Sequence, residues 1–154
     1  MNVAAIFAER RGDYEISTDP ARLDRALIHD FLCEHAYWSL GVPRTVVDRA
    51  IEHSLCFGIY RADGQIGFGR VVTDQATFAY LADVFVLPEA RGQGLSKWLV
   101  DAILRHPQLQ GLRRWLLATR DAHGLYAQFG FVPPKVAGRF MERHDPDVYL
   151  RAPG

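Results

Sequence analysis

The chain has little of several features that mark particular classes of protein. Of its 154 residues only two are cysteines, Cys33 and Cys56, and their spacing fits neither a zinc site nor a disulfide framework. Lys plus Arg and Asp plus Glu each number 18, so no basic field attracts nucleic acid or anionic lipid. We therefore expect a small, locally recognised ligand and no metal, nucleic-acid or membrane partner.

The sequence also lacks the patterns of membrane insertion and secretion. It has no uncharged apolar run of about 18 residues. Glu9, Arg10 and Arg11 stand where a signal peptide would need its apolar core, so we expect a cytoplasmic location. What is present is 49% hydrophobic and 23% charged residues, which is typical of a globular protein. The length predicts a single domain over residues 1–154.

Hydrophobic periodicity predicts a mixed α/β domain. The predicted strands are 14–17, 55–61, 65–73, 78–87 and 114–118, one beginning at 131–132, and a last one at 147–150. The predicted helices are 19–35, 43–54, 94–106 and 122–129. The unit from Phe78 to Ala118 must be a right-handed parallel crossover, because two parallel strands need a long connection.

The segment from Leu81 to His106 carries the strongest functional signal. Its strand continues through Arg91 to Gly92 and Gly94, and an amphipathic helix follows directly. The first N–H groups of a helix lack intrahelical acceptors and its dipole is positive there, so a phosphate binds favourably. A Walker loop needs Gly-Lys-Ser/Thr, and a dinucleotide fingerprint needs a third glycine where this chain has Lys97. With these two classes of nucleotide site excluded, the remaining candidate is another phosphate carrier, such as coenzyme A.

Two separate motifs resemble one family, the GNAT superfamily of acyl-CoA-dependent N-acetyltransferases. The first is Val84-Phe85-Val86-Leu87-Pro88-Glu89-Ala90-Arg91-Gly92-Gln93-Gly94-Leu95-Ser96. Arg91 and Gly94 match that family's loop, and Ser96 takes its last small position. The second motif is Ala122-His123-Gly124-Leu125-Tyr126-Ala127-Gln128-Phe129-Gly130-Phe131, which is similar to the family's Leu-Tyr and Gly-Phe signature.

The resemblance implies a GNAT-type fold and acetyl-CoA as the acyl donor. That fold has a central mixed twisted sheet of about six to seven strands flanked by about four helices. Coenzyme A lies in a cleft between the splayed fourth and fifth strands. Thr119 stands where the family commonly has an Asn that helps to hold the pantetheine arm. The donor-binding residues that the resemblance implies are Val84, Phe85, Val86, Arg91, Gly92, Gln93, Gly94, Leu95, Ser96, Lys97, Thr119 and Tyr126.

Acyl transfer to an amine requires a group that accepts a proton and one that protonates the departing thiolate. The resemblance gives the second role to Tyr126, whose family counterpart points at the sulfur. The alternative is a core aromatic packed beside Leu125 and Phe129.

Asp83 is the first candidate for the proton acceptor. Period-two alternation places it on the same face as Phe85 and opposite Val84 and Val86. A carboxylate paired with an arginine, or capping a backbone group, is an equally open interpretation of a charge in this strand. The weaker candidates are Glu34 and Glu142.

The leading hypothesis is acetyl transfer from acetyl-CoA to a primary amine of a small molecule or peptide. Direct attack is predicted because no Cys-His or Ser-His-Asp arrangement is evident. The alternative is a non-catalytic acyl-CoA-binding sensor or interaction module. Tyr37 and Trp38, in the bend between the first two helices, are candidates for a wall of the amine pocket, although exposed aromatics in such bends more often make packing or dimer contacts. The resemblance also makes a homodimer possible.

Overall fold

The computed structural model describes residues 5–151, in which six strands form one sheet in the order β1-β2-β3-β4-β5-β6. Its strands are β1 Ala8–Arg11, β2 Tyr14–Ser17, β3 Leu55–Arg61, β4 Gly64–Thr73, β5 Phe78–Val86 and β6 Arg114–Leu117. Its α-helices are α1 Arg25–Glu34, α2 Arg44–Glu52, α3 Leu95–Arg105, α4 His123–Ala127 and α5 Val148–Arg151. The predicted domain also includes residues 1–4 and 152–154, which lie outside the described part.

The mixed sheet confirms the predicted fold class. Neighbouring strands from β1 to β5 are antiparallel, whereas β5 and β6 are parallel and are joined through α3. β3 and β4 form a hairpin, in which Arg61 pairs with Gly64. Within residues 5–151, no helix is long and apolar enough to cross a membrane.

β1 was not predicted, because its sequence Ala-Glu-Arg-Arg has no apolar alternation. It forms by pairing with β2 across a tight turn in which Gly12 has a φ of +57°. Its Glu9 also accepts hydrogen bonds from Trp98 Nε1 at 2.6 Å and from Arg105 of α3. Charged side chains are common on such edge strands, because they discourage pairing with a second chain.

The first predicted helix is divided into two parts. Asp19 accepts a hydrogen bond from the Ala21 N–H and starts a 3₁₀ turn, Pro20–Arg22. Asp24 then accepts from the Leu27 N–H at 3.0 Å and caps α1. Two capping carboxylates five residues apart thus produce two short elements, each with its own start.

The predicted strands at 131–132 and 147–150 are wrong. Residues 131–136 form no strand, since Pro133 and Pro134 have no N–H to donate to a ladder. Val148–Arg151 is the short helix α5, in which Val148 and Leu150 are exposed and only Tyr149 packs against a core cluster. Apolar residues at every second position therefore did not mark a buried strand face here.

Two hydrophobic clusters lie on opposite faces of the sheet. α3 buries Leu95, Trp98, Leu99, Ala102 and Ile103 against one face. The helices α1 and α2 cover the other face, where Phe31 stacks on Phe85 at a ring distance of 4.0 Å. Each residue of β5 therefore points to one of two different helical layers.

β5 contains a bulge, and β6 stops beside it. Gly69 pairs with Val84 but Val71 pairs with Leu81, so Arg70 faces two residues of β5, Ala82 and Asp83. The parallel pairing with β6 ends at the pair Leu81 and Leu117. Because a bulge bends its strand, the remainder of β5 continues to Val86 without β6 beside it. The sheet is open on that side.

Candidate active site

The opening between β5 and β6 is a cleft of about 750 Å³. Its walls come from the second half of β5, the segment that follows β6, the bend between α1 and α2, and the chain near residue 143. The lining includes Tyr37, Trp38, Arg70, Asp83, Val84, Thr119, Arg120, Tyr126 and Glu142. Two of the predicted catalytic residues, Asp83 and Tyr126, are thereby brought to one cavity.

In the second half of β5, main-chain polar groups point away from β4. The Leu87 N–H donates to the Ile66 carbonyl at 2.9 Å, so Leu87 and then Phe85 are the residues that bond to β4 in the alternating antiparallel ladder. Val84 and Val86 therefore direct their N–H and C=O groups away from β4, toward the open side. Phe85 does not reach the cleft: its main chain faces β4 and its ring packs on Phe31.

The loop after β5 brings further N–H groups to the same side of the molecule. Gly92 and Gly94 have φ values of +81° and +74°, a left-handed conformation that costs other residues about 1–2 kcal/mol. Gly94 is the N-cap of α3. Within the described residues, the N–H groups that follow it, of Leu95, Ser96 and Lys97, have no main-chain acceptor.

A cavity of about 240 Å³ adjoins these N–H groups, between the loop and Leu125 of α4. Arg91 fastens the loop to the strand, because its Nε donates to the Val86 carbonyl at 3.0 Å. Gln93 is the one predicted loop residue that does not line this cavity. The start of α3 thus presents unpaired N–H groups to a cavity directly beyond the end of β5, an arrangement that favours an anion.

Thr119 lies at the opposite wall of the cleft. Its hydroxyl accepts a hydrogen bond from the Ala122 N–H at 3.0 Å and so stabilises the start of α4. A hydroxyl is also a donor, which leaves one hydrogen bond for a ligand in the cleft.

Tyr126 of α4 has one side in the core and one side in the cleft. Its ring packs edge to face on Phe131 at 5.9 Å, and it contacts the core cluster beneath α3. Burial raises the pKa of the Tyr126 phenol, and the nearby Tyr37 phenol adds to the shift. The hydroxyl therefore keeps its proton at neutral pH, as a proton donor must.

Asp83 is part of a hydrogen-bonded cluster. Its Oδ1 accepts from Trp38 Nε1 and its Oδ2 from Arg70 Nε, both at 2.7 Å, and Arg70 also donates to Ser54 Oγ at 3.0 Å. Asp83 is only 7% exposed. The interpretation as an arginine-paired carboxylate is confirmed, and the role as proton acceptor stays a prediction. A carboxylate has about four lone-pair sites, so the cluster leaves room for another donor.

Arg70 was missed in the sequence. The feature that could have identified it is a single cation in β4, with the apolar residues Phe68 before it and Val71 after it. One strand later a single carboxylate, Asp83, stands in an apolar run of β5. A lone cation and a lone anion in consecutive antiparallel strands can pair across the sheet, and these two do so beside the bulge.

Tyr37 connects the two sides of the cleft mouth. Its hydroxyl accepts from the Arg120 N–H at 3.0 Å, and the Arg120 guanidinium lies 3.9 Å from the centre of its ring. Tyr37 and Trp38 remain 41% and 42% exposed, and both line the cleft as predicted. Of the weaker carboxylate candidates, Glu142 lines the cleft but Glu34 does not.

The split parallel pair, the helix N-terminus beyond it and the phenol between them together define an acyltransferase. A family model described as an acetyltransferase (GNAT) domain matches residues 52–133, which include both motifs and most of the sheet. The chain belongs to the GNAT acetyltransferase family.

Individual relatives agree with this assignment. A GNAT-family protein of Xanthomonas campestris pv. campestris is 54% identical, with a TM-score of 0.87 and coverage of 88% of this chain and 96% of that one. A protein of Gibberella zeae, provisionally named an acetyltransferase, is 35% identical in an alignment 140 positions long that covers 77% of this chain and 78% of that one. A GNAT acetyltransferase of Elizabethkingia anophelis, solved with acetyl-CoA bound, is 12% identical with a TM-score of 0.56 over 85% of this chain and 77% of that one. It shows the likeness of fold alone.

Proposed function

We propose that this acetyltransferase moves an acetyl group from acetyl-CoA to a primary amine of a small molecule or peptide by direct attack. One observation carries the proposal. Outward main-chain groups of β5, the free N–H groups at the start of α3 and the Tyr126 phenol border the same open side of the sheet.

The donor substrate fits the groups that are present. The N–H groups of Leu95, Ser96 and Lys97 would hold the pyrophosphate, since a helix N-terminus favours an anion. Val84 and Val86 would bind the amides of the pantetheine arm through their main chains, as an added strand does at a sheet edge. The acetyl-CoA bound to the Elizabethkingia anophelis enzyme supports this choice of donor for the fold.

The reaction forms a C–N bond and breaks a C–S bond. The amine lone pair attacks the thioester carbonyl carbon, and the C–S electron pair leaves on sulfur. Tyr126 gives its proton to that sulfur, the acylated nitrogen releases one of its own protons to water, and water later restores the proton of the phenol. A main-chain N–H of β5 beside the carbonyl would stabilise the charge that develops on its oxygen.

The amine must reach the carbonyl in its neutral form. A free alkyl ammonium has a pKa of about 10, so a group in the cleft must accept its proton. We propose Asp83 for this role, because it lies in the wall of the cleft and its carboxylate has unused lone pairs beside those that Trp38 and Arg70 occupy.

The test is a panel of primary amines with acetyl-CoA, followed by release of free thiol and by product mass. We expect thiol release that depends on the amine and a product heavier by one acetyl group. Alcohols and buffer alone serve as controls. Coenzyme A binding without amine-dependent thiol release across the panel would contradict the proposal and favour a binding module.

A further inference from the structure

We infer that the acceptor is a primary amine that carries an aromatic or branched aliphatic group. That group lies in a separate cavity beneath α2, while its nitrogen lies in the cleft beside Asp83. The inference rests on the proposed function and adds the class of substrate to it.

The cavity beneath α2 has a volume of about 140 Å³. An apolar cavity of about 150 Å³ binds benzene, so this one has room for a phenyl ring or a branched alkyl group. Its apolar lining includes Val42, Val46, Val47, Ala50, Ile51 and Phe68. A charged or strongly polar group would lose its hydration there without compensation.

The cavity and the cleft share one wall. Trp38, Arg70 and Asp83 line both of them, and together with Ser39 and Tyr149 they are the polar part of a lining whose other side chains are apolar. An amine at this wall would donate to an unused lone pair of Asp83 on the cleft side. Its apolar group would extend over the indole of Trp38 into the space beneath α2.

This arrangement separates recognition of the nitrogen from recognition of its substituent. Each buried CH₂ contributes about a fourfold gain in affinity. The six carbons of a phenyl ring would therefore raise kcat/KM by about 100-fold or more over a short alkyl amine. A diamine of similar length would place its second ammonium among apolar side chains and would gain nothing.

Four amines test the inference: ethylamine, 3-methylbutylamine, 2-phenylethylamine and 1,4-diaminobutane, each with saturating acetyl-CoA. We expect kcat/KM to rise along the first three and to return to the ethylamine value for the diamine. Equal values for ethylamine and 2-phenylethylamine would overturn the inference while leaving the proposed function intact. If no amine is acetylated, the proposed function fails, and this inference fails with it.

A variant that fills the cavity provides the second test. Ala50 is half-buried on α2, and Ala50→Leu keeps a residue that favours helix. We expect KM for 2-phenylethylamine to rise about tenfold or more, with KM for acetyl-CoA and kcat/KM for ethylamine unchanged. The matched control is Ala26→Leu on the exposed face of α1, which should change none of them. An equal effect of Ala50→Leu on both amines would place the apolar group elsewhere.

Discussion

The two walls of the cleft are built from different kinds of structure. The donor wall, β5 together with residues 91–97, offers main-chain groups on a strand that is partly buried in the core and on an exposed loop that leads into α3. The acceptor wall, residues 37–38 with the segment 140–144, offers side chains on irregular and largely exposed chain. The wall proposed for the donor therefore includes a strand of the core, whereas residues 37–38 and 140–144 can change with less effect on the core.

Tyr126 lies where the two walls meet, and its loss should have the largest effect. We expect Tyr126→Phe to lower kcat by about 100-fold or more, because proton donation by a positioned acid is worth at least that much. KM for acetyl-CoA should stay within about twofold, since the ring is kept. Steady-state kinetics measure both values.

Tyr14→Phe is the matched control, a half-buried tyrosine on β2 packed against the same core cluster. It should retain full activity. A Tyr126→Phe enzyme with unchanged kcat would remove the hydroxyl from the chemistry and leave Tyr126 as a packing residue.

Asp83 lies on β5 and tests the part of that strand that faces the proposed acceptor. We expect Asp83→Asn to lower kcat/KM for the amine by about tenfold and to displace the alkaline rise of the rate, since the amide cannot take up the proton. KM for acetyl-CoA should not change. A pH profile with the same shape as that of the wild type would limit Asp83 to its structural pairing.

Asp83→Asn also removes the carboxylate that pairs with Arg70, which affects stability. The melting temperature of this variant must therefore be measured together with its rates. Trp38→Phe is a second variant, because it removes one donor to Asp83 and keeps the carboxylate. It should preserve the shape of the pH profile.

Substitutions at two glycines allow an effect on stability to be distinguished from an effect on donor binding. Gly94 and Gly111 both have a φ of +74°, and at neither position would an added Cβ meet another atom within 4 Å. Changing either to Ala should lower the free energy of unfolding by a similar amount, about 1–2 kcal/mol. Only Gly94→Ala should raise KM for acetyl-CoA, by about two- to tenfold, the loss of roughly one hydrogen bond. Equal KM values in the two variants would remove the loop from donor binding.

His106 gives the smallest predicted effect, at the far end of α3 from the donor loop. It is buried beside Phe7 and Phe57, its Nδ1 accepts from the Gln108 N–H at 3.1 Å, and burial lowers its pKa. The unfolded chain therefore binds a proton more readily, so the free energy of unfolding should fall as the pH drops below about 6.5.

Urea unfolding at about pH 7.5 and about pH 5.5 measures this dependence. His106→Asn, whose amide oxygen can accept the same hydrogen bond, should weaken it. The control His53→Asn, at an exposed position, should leave it unchanged. An identical pH dependence in both variants would assign the effect to other groups.

The difference between the walls also explains what the sequence could predict. The strand, the loop glycines and the helix start of the donor wall were predicted correctly, because they depend on local properties of the sequence, and their role in binding the donor stays a prediction. The strand predicted as the fourth is the fifth in the structure, because β1 precedes it and was not predicted. β1 has no apolar pattern, and it is stabilised by its partner strand and by the contacts of Glu9. The segment after Phe131 was predicted wrongly, because its conformation depends on two prolines and on the single packing contact of Tyr149. The Arg70–Asp83 pair needed the register of β4 on β5, which a bulge alters and which no local pattern encodes.

The bulge in β5 depends on a single residue. Ala82 is the additional residue opposite Arg70, so its deletion would return Val71–Leu81 and Gly69–Val84 to one uninterrupted register. Asp83, Val84 and Phe85 would keep their present faces, and only the bend would be lost. With a straight β5 beside it, β6 could continue past Leu117 and fill the opening with ordinary ladder bonds. We therefore expect deletion of Ala82 to close the opening between β5 and β6.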